Sequence, residues 1–360
     1  MFALTDILNE PVYALGRARK ETVFSKALGD LTRKHYAGCP EYRKILDLMG
    51  FDTNRVTRSE DFPFLPVRLF KEYELLSVPR EEIVKVMISS GTSSQQVSRI
   101  FLDRETSSNQ TKVLVKIVSS FLGAMRLPML IIDSPAVIKD RILLSARGAG
   151  IIGFSMLGYD HTYALTENME LDMDIVDAFL GRHHGSPVML FGFTYMIWEH
   201  LLQPIKSRGL KLDFNKGIIV HGGGWKKMME HSVDNDTFKK TAMEACGIRR
   251  VHNYYGMVEQ TGSIFMECGE GFLHAPLFSD VIIRNPRDFH PQGPGEPGII
   301  QLLSLLPGSY PGHSILSEDL GELIGVDDCP CGRKGKYFLI HGRLKDAEIR
   351  GCSDVYAVSR

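Results

Sequence analysis

Through most of the chain, short apolar runs rich in β-branched residues alternate with longer stretches compatible with helices. Val84 to Ile88, Pro128 to Ile132, Pro187 to Phe191, Gly217 to Val220 and Val251 to Tyr254 read as strands. Arg104 to Leu122, Tyr195 to Gln203 and Asp234 to Cys246 read as helices, the last closed by Gly247 as a C-cap. This alternation predicts an α/β fold with helix-covered β-sheets. After about Thr261, prolines and glycines become frequent, and Gly298 to Leu305 and His313 to Leu323 read as strands of a smaller β-rich portion. The expected organisation is an N-terminal helical segment over 1–60, an α/β core over 61–260, a β-rich subdomain over 261–345 and a mobile tail over 346–360.

Composition narrows the function classes. The 360 residues are 44% hydrophobic with a formal charge of −1, as in an ordinary globular chain large enough for a substantial core. The 42 Lys and Arg are balanced by 43 Asp and Glu, so the basic excess that binding to a phosphate backbone needs is missing and no nucleic-acid partner is expected. The longest apolar region, Val113 to Ile132, is interrupted by Lys116, Arg126 and Pro128 and cannot be a bilayer span. Asp6 and Glu10 stand where the apolar core of a signal peptide would lie, which predicts a cytoplasmic location and reduced cysteines.

Five clusters carry candidate chemistry. The small-residue loop Ser89-Ser90-Gly91-Thr92-Ser93-Ser94 sits between two apolar runs and can turn backbone N–H groups and hydroxyls toward a phosphate. Plain turn chemistry is the competing reading of the loop alone. A strand ending in His221-Gly222-Gly223-Gly224-Trp225-Lys226 would leave bare backbone at the carboxyl edge of a sheet, where open α/β folds bind ligands. His221 is either a contact for a substrate carboxylate or a satisfied strand-end histidine. In Tyr254-Tyr255-Gly256-Met257-Val258-Glu259, a tyrosine could lie against a planar base and Glu259 could hold magnesium. Asp319, read as lying in a β loop, suits the two hydroxyls of a ribose, and Arg343 opens a further charged cluster running to Gly351.

Taken in this order, the clusters resemble the adenylate-forming enzymes over roughly residues 60–352. The resemblance assigns Ser89 to Ser94 to phosphate, Tyr254 to Glu259 to the adenine side, Asp319 to ribose and Gly342 to Gly351 to the hinge. Within that group the chain looks most like the acyl-protein synthetases, the LuxE-like subunits of bacterial fatty-acid reductases. Phe64 to Lys71, Gly222 to Lys226 and the terminal Gly351-Cys352-Ser353 carry this closer match. Two departures from the wider group stand out. Ser94 replaces the usual glycine and Arg99 stands near the usual lysine, so phosphate binding would lean on Arg99 or Lys226. The chain also ends nine residues after Gly351, where the wider group continues into a large C-terminal lid. A short terminus is similarly a feature of the acyl-protein synthetases.

The resemblance implies ATP and Mg2+ as cofactors, a fatty acid as substrate and an acyl-protein reductase as partner. The acid would attack the α-phosphorus of ATP, with Glu259 holding the metal and Arg343 meeting the developing charge. In the resembling family a cysteine near the carboxy terminus then takes the acyl group as a thioester. Cys352 is the matching residue, with Arg350 nearby to favour its thiolate. An extended segment from Asp346 to Cys352 spans about 20 Å, enough to carry a sulfur between sites. Phe191, Phe193 and Tyr195 are candidates for an acyl pocket, although aromatics at that spacing are also ordinary core. Two other functions fit the same motifs: an acyl- or aryl-CoA ligase whose lid comes from another chain, and a non-catalytic nucleotide-binding subunit of a reductase complex.

Four soft ligands form a separate pattern. Cys268 and His274 are spaced C-x5-H, and Cys329-Pro330-Cys331 is a tight C-x-C pair, both flanking the β-rich portion. Three thiolates and an imidazole suit a structural Zn2+ if the pairs meet in the fold; the other reading is a set of reduced, metal-free cysteines.

Overall fold

The computed structural model describes residues 4–55, 58–89, 97–138, 146–225 and 232–344. These fall into two compact units. One comprises 4–55, 58–89, 97–117 and 256–344; the other comprises 118–138, 146–225 and 232–255.

The second unit is an α/β layer built on five parallel strands. In spatial order these are Gly158–Tyr163, Leu127–Ile131, Val188–Phe193, Gly217–Gly222 and Arg250–Tyr255. Every residue of Leu127–Ile131, Val188–Phe193 and Gly217–Gly222 is buried, which is why these strands read as unbroken apolar runs rather than alternating ones. Helices start where short acids can cap them. The Asp172 carboxylate accepts from the Ile175 amide at 3.1 Å, and that of Asp234 accepts from Thr237 at 2.7 Å. Gly247 ends the helix Asn235–Cys246 in the left-handed conformation, at φ 69°.

The helix expected over Tyr195 to Gln203 is longer and irregular. Thr194–Ile197 is α-helical, Trp198–Leu202 is a π-helical turn, and Gln203–Ser207 resumes the α-helix. Pro204 explains the interruption. Its ring has no N–H and would press on the carbonyl one turn back, and the wider turn before it absorbs both problems.

The first unit is mostly antiparallel. Its main sheet runs Ser279–Arg284, Pro297–Ser304, Ser314–Val326, Lys336–Arg343, Leu273–His274 and Phe265–Glu267, with the short Leu65–Pro66 added parallel to Ser314–Val326. Ile83–Ile88 and Arg99–Asp103 form a separate two-stranded ribbon. The helices Arg17–Gly38 and Pro40–Met49 belong to this unit. Tyr42 and Leu46 from the second helix share a core with Leu65, Phe70, Ile100, Leu102, Tyr310 and Ile315. Among the described residues no helix is long and apolar enough to cross a membrane.

Candidate active site

In the α/β unit, strand register gathers several expected site residues at one edge. Phe193, Gly222 and Tyr254 are successive partners across three parallel strands, so their carboxyl ends align. Gly222 must lack a side chain: a Cβ there would lie 2.7 Å from the Tyr254 ring. Gly223 and Gly224 follow with φ of 85° and 62°, and a Cβ on Gly223 would strike Phe193. Tyr255 ends the same strand, Arg250–Tyr255. Phe191 is fully buried and stacks on Phe154, which also packs against Tyr254.

His221 points into the interior. Its Nδ1 lies 2.9 Å from the Thr194 hydroxyl, its ring stacks on Phe238, and its Nε2 has no hydrogen-bond partner among the described residues. Burial pushes its imidazole down to about 3, so the ring is neutral at physiological pH. It is thus a buried strand-end histidine with one ring nitrogen hydrogen-bonded. Tyr195 is likewise buried, with the Arg147 guanidinium donating to its hydroxyl at 3.2 Å.

In the other unit, Ser89 closes the base of the ribbon. Its amide donates to the Ser98 carbonyl at 3.0 Å, and its hydroxyl accepts from the Ser98 amide at 2.8 Å. Arg99 follows on the partner strand and pairs with Glu74 at 3.3 Å. Gly256 leads into the short 3-10 turn Val258–Gln260, in which Glu259 is buried. Bonds from other segments help fix this turn. The Tyr310 hydroxyl donates to the Glu259 carbonyl at 2.8 Å, and the Gln260 amide donates to the Gly312 carbonyl at 2.8 Å.

Asp319 is not in a loop. It lies within the long strand Ser314–Val326, where pairing with both neighbours slips out of register. Register slips of this kind are β-bulge irregularities, which in general bend a strand and re-aim a side chain. Arg343 is its direct cross-strand partner. Cys268, His274, Cys329 and Cys331 converge elsewhere in this unit, with their ligand atoms all within 4.8 Å of one another. Ser90, Gly91, Thr92, Ser93, Ser94, Lys226 and Cys352 lie outside the described residues.

The sequence profile of the acyl-protein synthetases, LuxE, matches residues 4–359. The chain belongs to this family. It is accordingly an AMP-forming ligase. A long-chain-fatty-acid–luciferin-component ligase of Vibrio harveyi is 23% identical over 327 residues, covering 89% of this chain and 83% of the relative. A phenylacetate-coenzyme A ligase of Thermus thermophilus is 22% identical over 343 residues, covering 89% and 69%. Among solved structures, an open form of 2-hydroxyisobutyryl-CoA ligase superposes with a TM-score of 0.72 at 17% identity, covering 93% of this chain and 72% of its own. That likeness establishes the adenylate-forming fold for the synthetase.

The structure of the synthetase adds residues that sequence reasoning passed over. Its parallel sheet reverses direction of growth at Leu127–Ile131, and such switch points are where open α/β sheets receive ligands. Asp133 follows that strand and forms a buried ion pair with Arg147, at 3.4 Å. Burial raises the Asp133 carboxyl to about 6, with the Arg147 charge and the Ser134 amide pulling the other way. Gly150, on the same helix as Arg147, faces Phe191, Phe193 and the Tyr254 hydroxyl. The available signal was an arginine and two glycines, Gly148 and Gly150, opening an otherwise apolar stretch.

Proposed function

We propose that this synthetase activates a long-chain fatty acid with ATP and transfers it, through the thiol of Cys352, to an acyl-protein reductase. The observation that carries the reading is the family match across residues 4–359, supported by fatty-acid ligases among the relatives. The aligned edge of Phe193, Gly222 and Tyr254, bare of side chains at three glycines, is consistent with a planar base or acyl chain lying against it.

The first step makes a bond from the carboxylate oxygen to the α-phosphorus of ATP and breaks the bond to pyrophosphate, which leaves. Negative charge grows on the phosphoryl oxygens, so donors and cations positioned there lower the barrier. Ser89 to Ser94 and Lys226 are assigned to the phosphates, Tyr254 and Tyr255 to the base, Asp319 to the ribose hydroxyls and Arg343 to the phosphoryl charge. Glu259 offers a buried carboxylate, a hard oxygen donor of the kind Mg2+ takes. When bound there, Mg2+ would neutralise charge on the phosphates. In the second step the Cys352 thiolate attacks the acyl carbon, the bond to AMP breaks, and AMP leaves with its electron pair.

The test combines pyrophosphate exchange with intact mass. Exchange should depend on a fatty acid, and the full-length protein should gain one acyl mass that hydroxylamine removes. Cys352→Ala should keep exchange and lose the acyl mass; undiminished acylation of that variant would reject the assignment. The Thermus thermophilus relative favours a second reading, a CoA ligase. Acyl-CoA appearing in solution when CoA is supplied, with no label on the protein, would select it.

A further inference from the structure

We propose that Cys268, His274, Cys329 and Cys331 hold a structural zinc ion that staples the turn of one hairpin to the turn of another. The inference stands apart from the choice of acyl substrate or acceptor. Cys268 Sγ and Cys329 Sγ are 4.0 Å apart, and Cys331 Sγ is 3.4 Å from His274 Nε2. Tetrahedral zinc, with Zn–S of about 2.3 Å and Zn–N of about 2.0–2.1 Å, sets these separations at about 3.8 Å and about 3.6 Å. The four atoms therefore already stand near the corners such an ion requires.

The two ligand pairs sit in tight turns, and the Cys268 amide itself donates to the Phe272 carbonyl. Two glycines make these turns possible: Gly271 at φ 84° and Gly332 at φ 82°, whose amides bond back to the Cys268 and Cys329 carbonyls. Three thiolates on Zn2+ leave one net negative charge, and the Arg333 side chain is close by, stacked over Tyr13 beside the His274 ring. His274 itself is held between Tyr337, stacked at 5.6 Å, and Tyr13, edge-on at 6.0 Å.

Cys39 and Cys246 provide the internal contrast. Both are buried singly in apolar cores, where a thiol behaves as a small hydrophobe. At the cluster, by contrast, three sulfurs and an imidazole nitrogen converge from the strand end at 268–274 and the turn at 329–331, which hydrophobic packing alone does not require. The ion would also secure the N-terminal segment, because the Tyr13 carbonyl accepts from the Lys334 amide and the Val12 carbonyl from Leu277. One clamped turn is that of the hairpin Ser314–Val326 and Lys336–Arg343, whose far end carries Asp319 and Arg343. At about 3.3 Å per residue, those two lie some 20 Å from the Val326–Lys336 end, so the ion acts on architecture rather than on the reacting atoms.

Elemental analysis of the full-length protein, purified under reducing conditions, should find one zinc per chain. A Cys329→Ser, Cys331→Ser double variant should retain less than about a tenth of an equivalent and melt on the order of 10 °C lower. Should that variant fail to fold, cobalt exchange into the wild type decides the matter: tetrahedral d–d bands with thiolate-to-cobalt charge transfer are expected. Folded wild-type protein with under a tenth of an equivalent of zinc and no such bands would overturn the proposal, and so would stoichiometric iron in place of zinc.

Discussion

The Asp319 carboxylate lies 3.4 Å from the Arg343 guanidinium, and the two residues are direct partners across an antiparallel strand pair. With side chains 19% and 35% exposed, an ion pair of this kind contributes only about 0–1 kcal/mol to stability. On the proposed function, its value lies in holding two charges ready for the nucleotide. Asp319→Asn should raise the KM for ATP about tenfold or more, since a charged hydrogen bond to a ligand is worth about 1.5–3 kcal/mol. The melting temperature should move by no more than about 2 °C. A lower melting temperature with an unchanged KM would make the pair purely structural.

Gly222 tests the aligned strand edge. Gly222→Ala puts a methyl group 2.7 Å from the Tyr254 ring, so the ring or the strand end must shift. Overpacking of this kind costs about 1–3 kcal/mol, readable as a lowered urea midpoint. Pyrophosphate exchange should fall by at least tenfold if Tyr254 supports the nucleotide. Wild-type exchange in a destabilised variant would separate the ring from the chemistry.

The buried pair of Asp133 and Arg147 makes a pH-dependent prediction. Asp133 titrates near 6 in the fold against about 3.9 in an unfolded chain, so folding favours its protonated form and this carboxyl weakens the fold as pH rises between those values. Arg147→Met removes the charge that restrains the shift. The loss of stability relative to wild type should therefore be small near pH 5 and grow to about 3–5 kcal/mol by pH 8. Urea unfolding at the two pH values measures it; a deficit independent of pH would contradict the assignment.

Acid should act in the opposite sense through His313. His35 and His313 stack at 5.0 Å in the first unit, fully buried, and His313 Nε2 meets the hydroxyls of Thr32 and Tyr42. Burial pushes His313 down to about 3, below the unfolded value of about 6.5. Its contribution is complete above pH 6.5 and is lost as pH falls toward the folded value, at about 1.4 kcal/mol per pH unit. His313→Gln, which keeps an acceptor for the two hydroxyls, should flatten the acid limb of a stability profile by about that slope.

Much of this architecture was legible in the chain. Apolar runs such as Gly217 to Val220 located the parallel strands because burial on both faces leaves no polar residues in them, and Asp234 with Gly247 marked both ends of a helix. The Cys and His spacings located a cluster that the fold does assemble. The π-helical turn before Pro204 was hidden, because the adjustment depends on how a proline ring meets a carbonyl. The strand read over His313 to Leu323 does hold Asp319, but the register slip beside it was hidden because it arises from pairing with two other strands, which no local pattern reports. Arg147 escaped notice for a related reason: its partner Asp133 belongs to another element, and burial alone gives the pair its meaning.

The reciprocal bonds between Ser89 and Ser98 have a mechanical corollary. They knot the two strands of the ribbon together at one end, so the register of Ile83–Ile88 against Arg99–Asp103 is pinned at this neck as well as along the ladder.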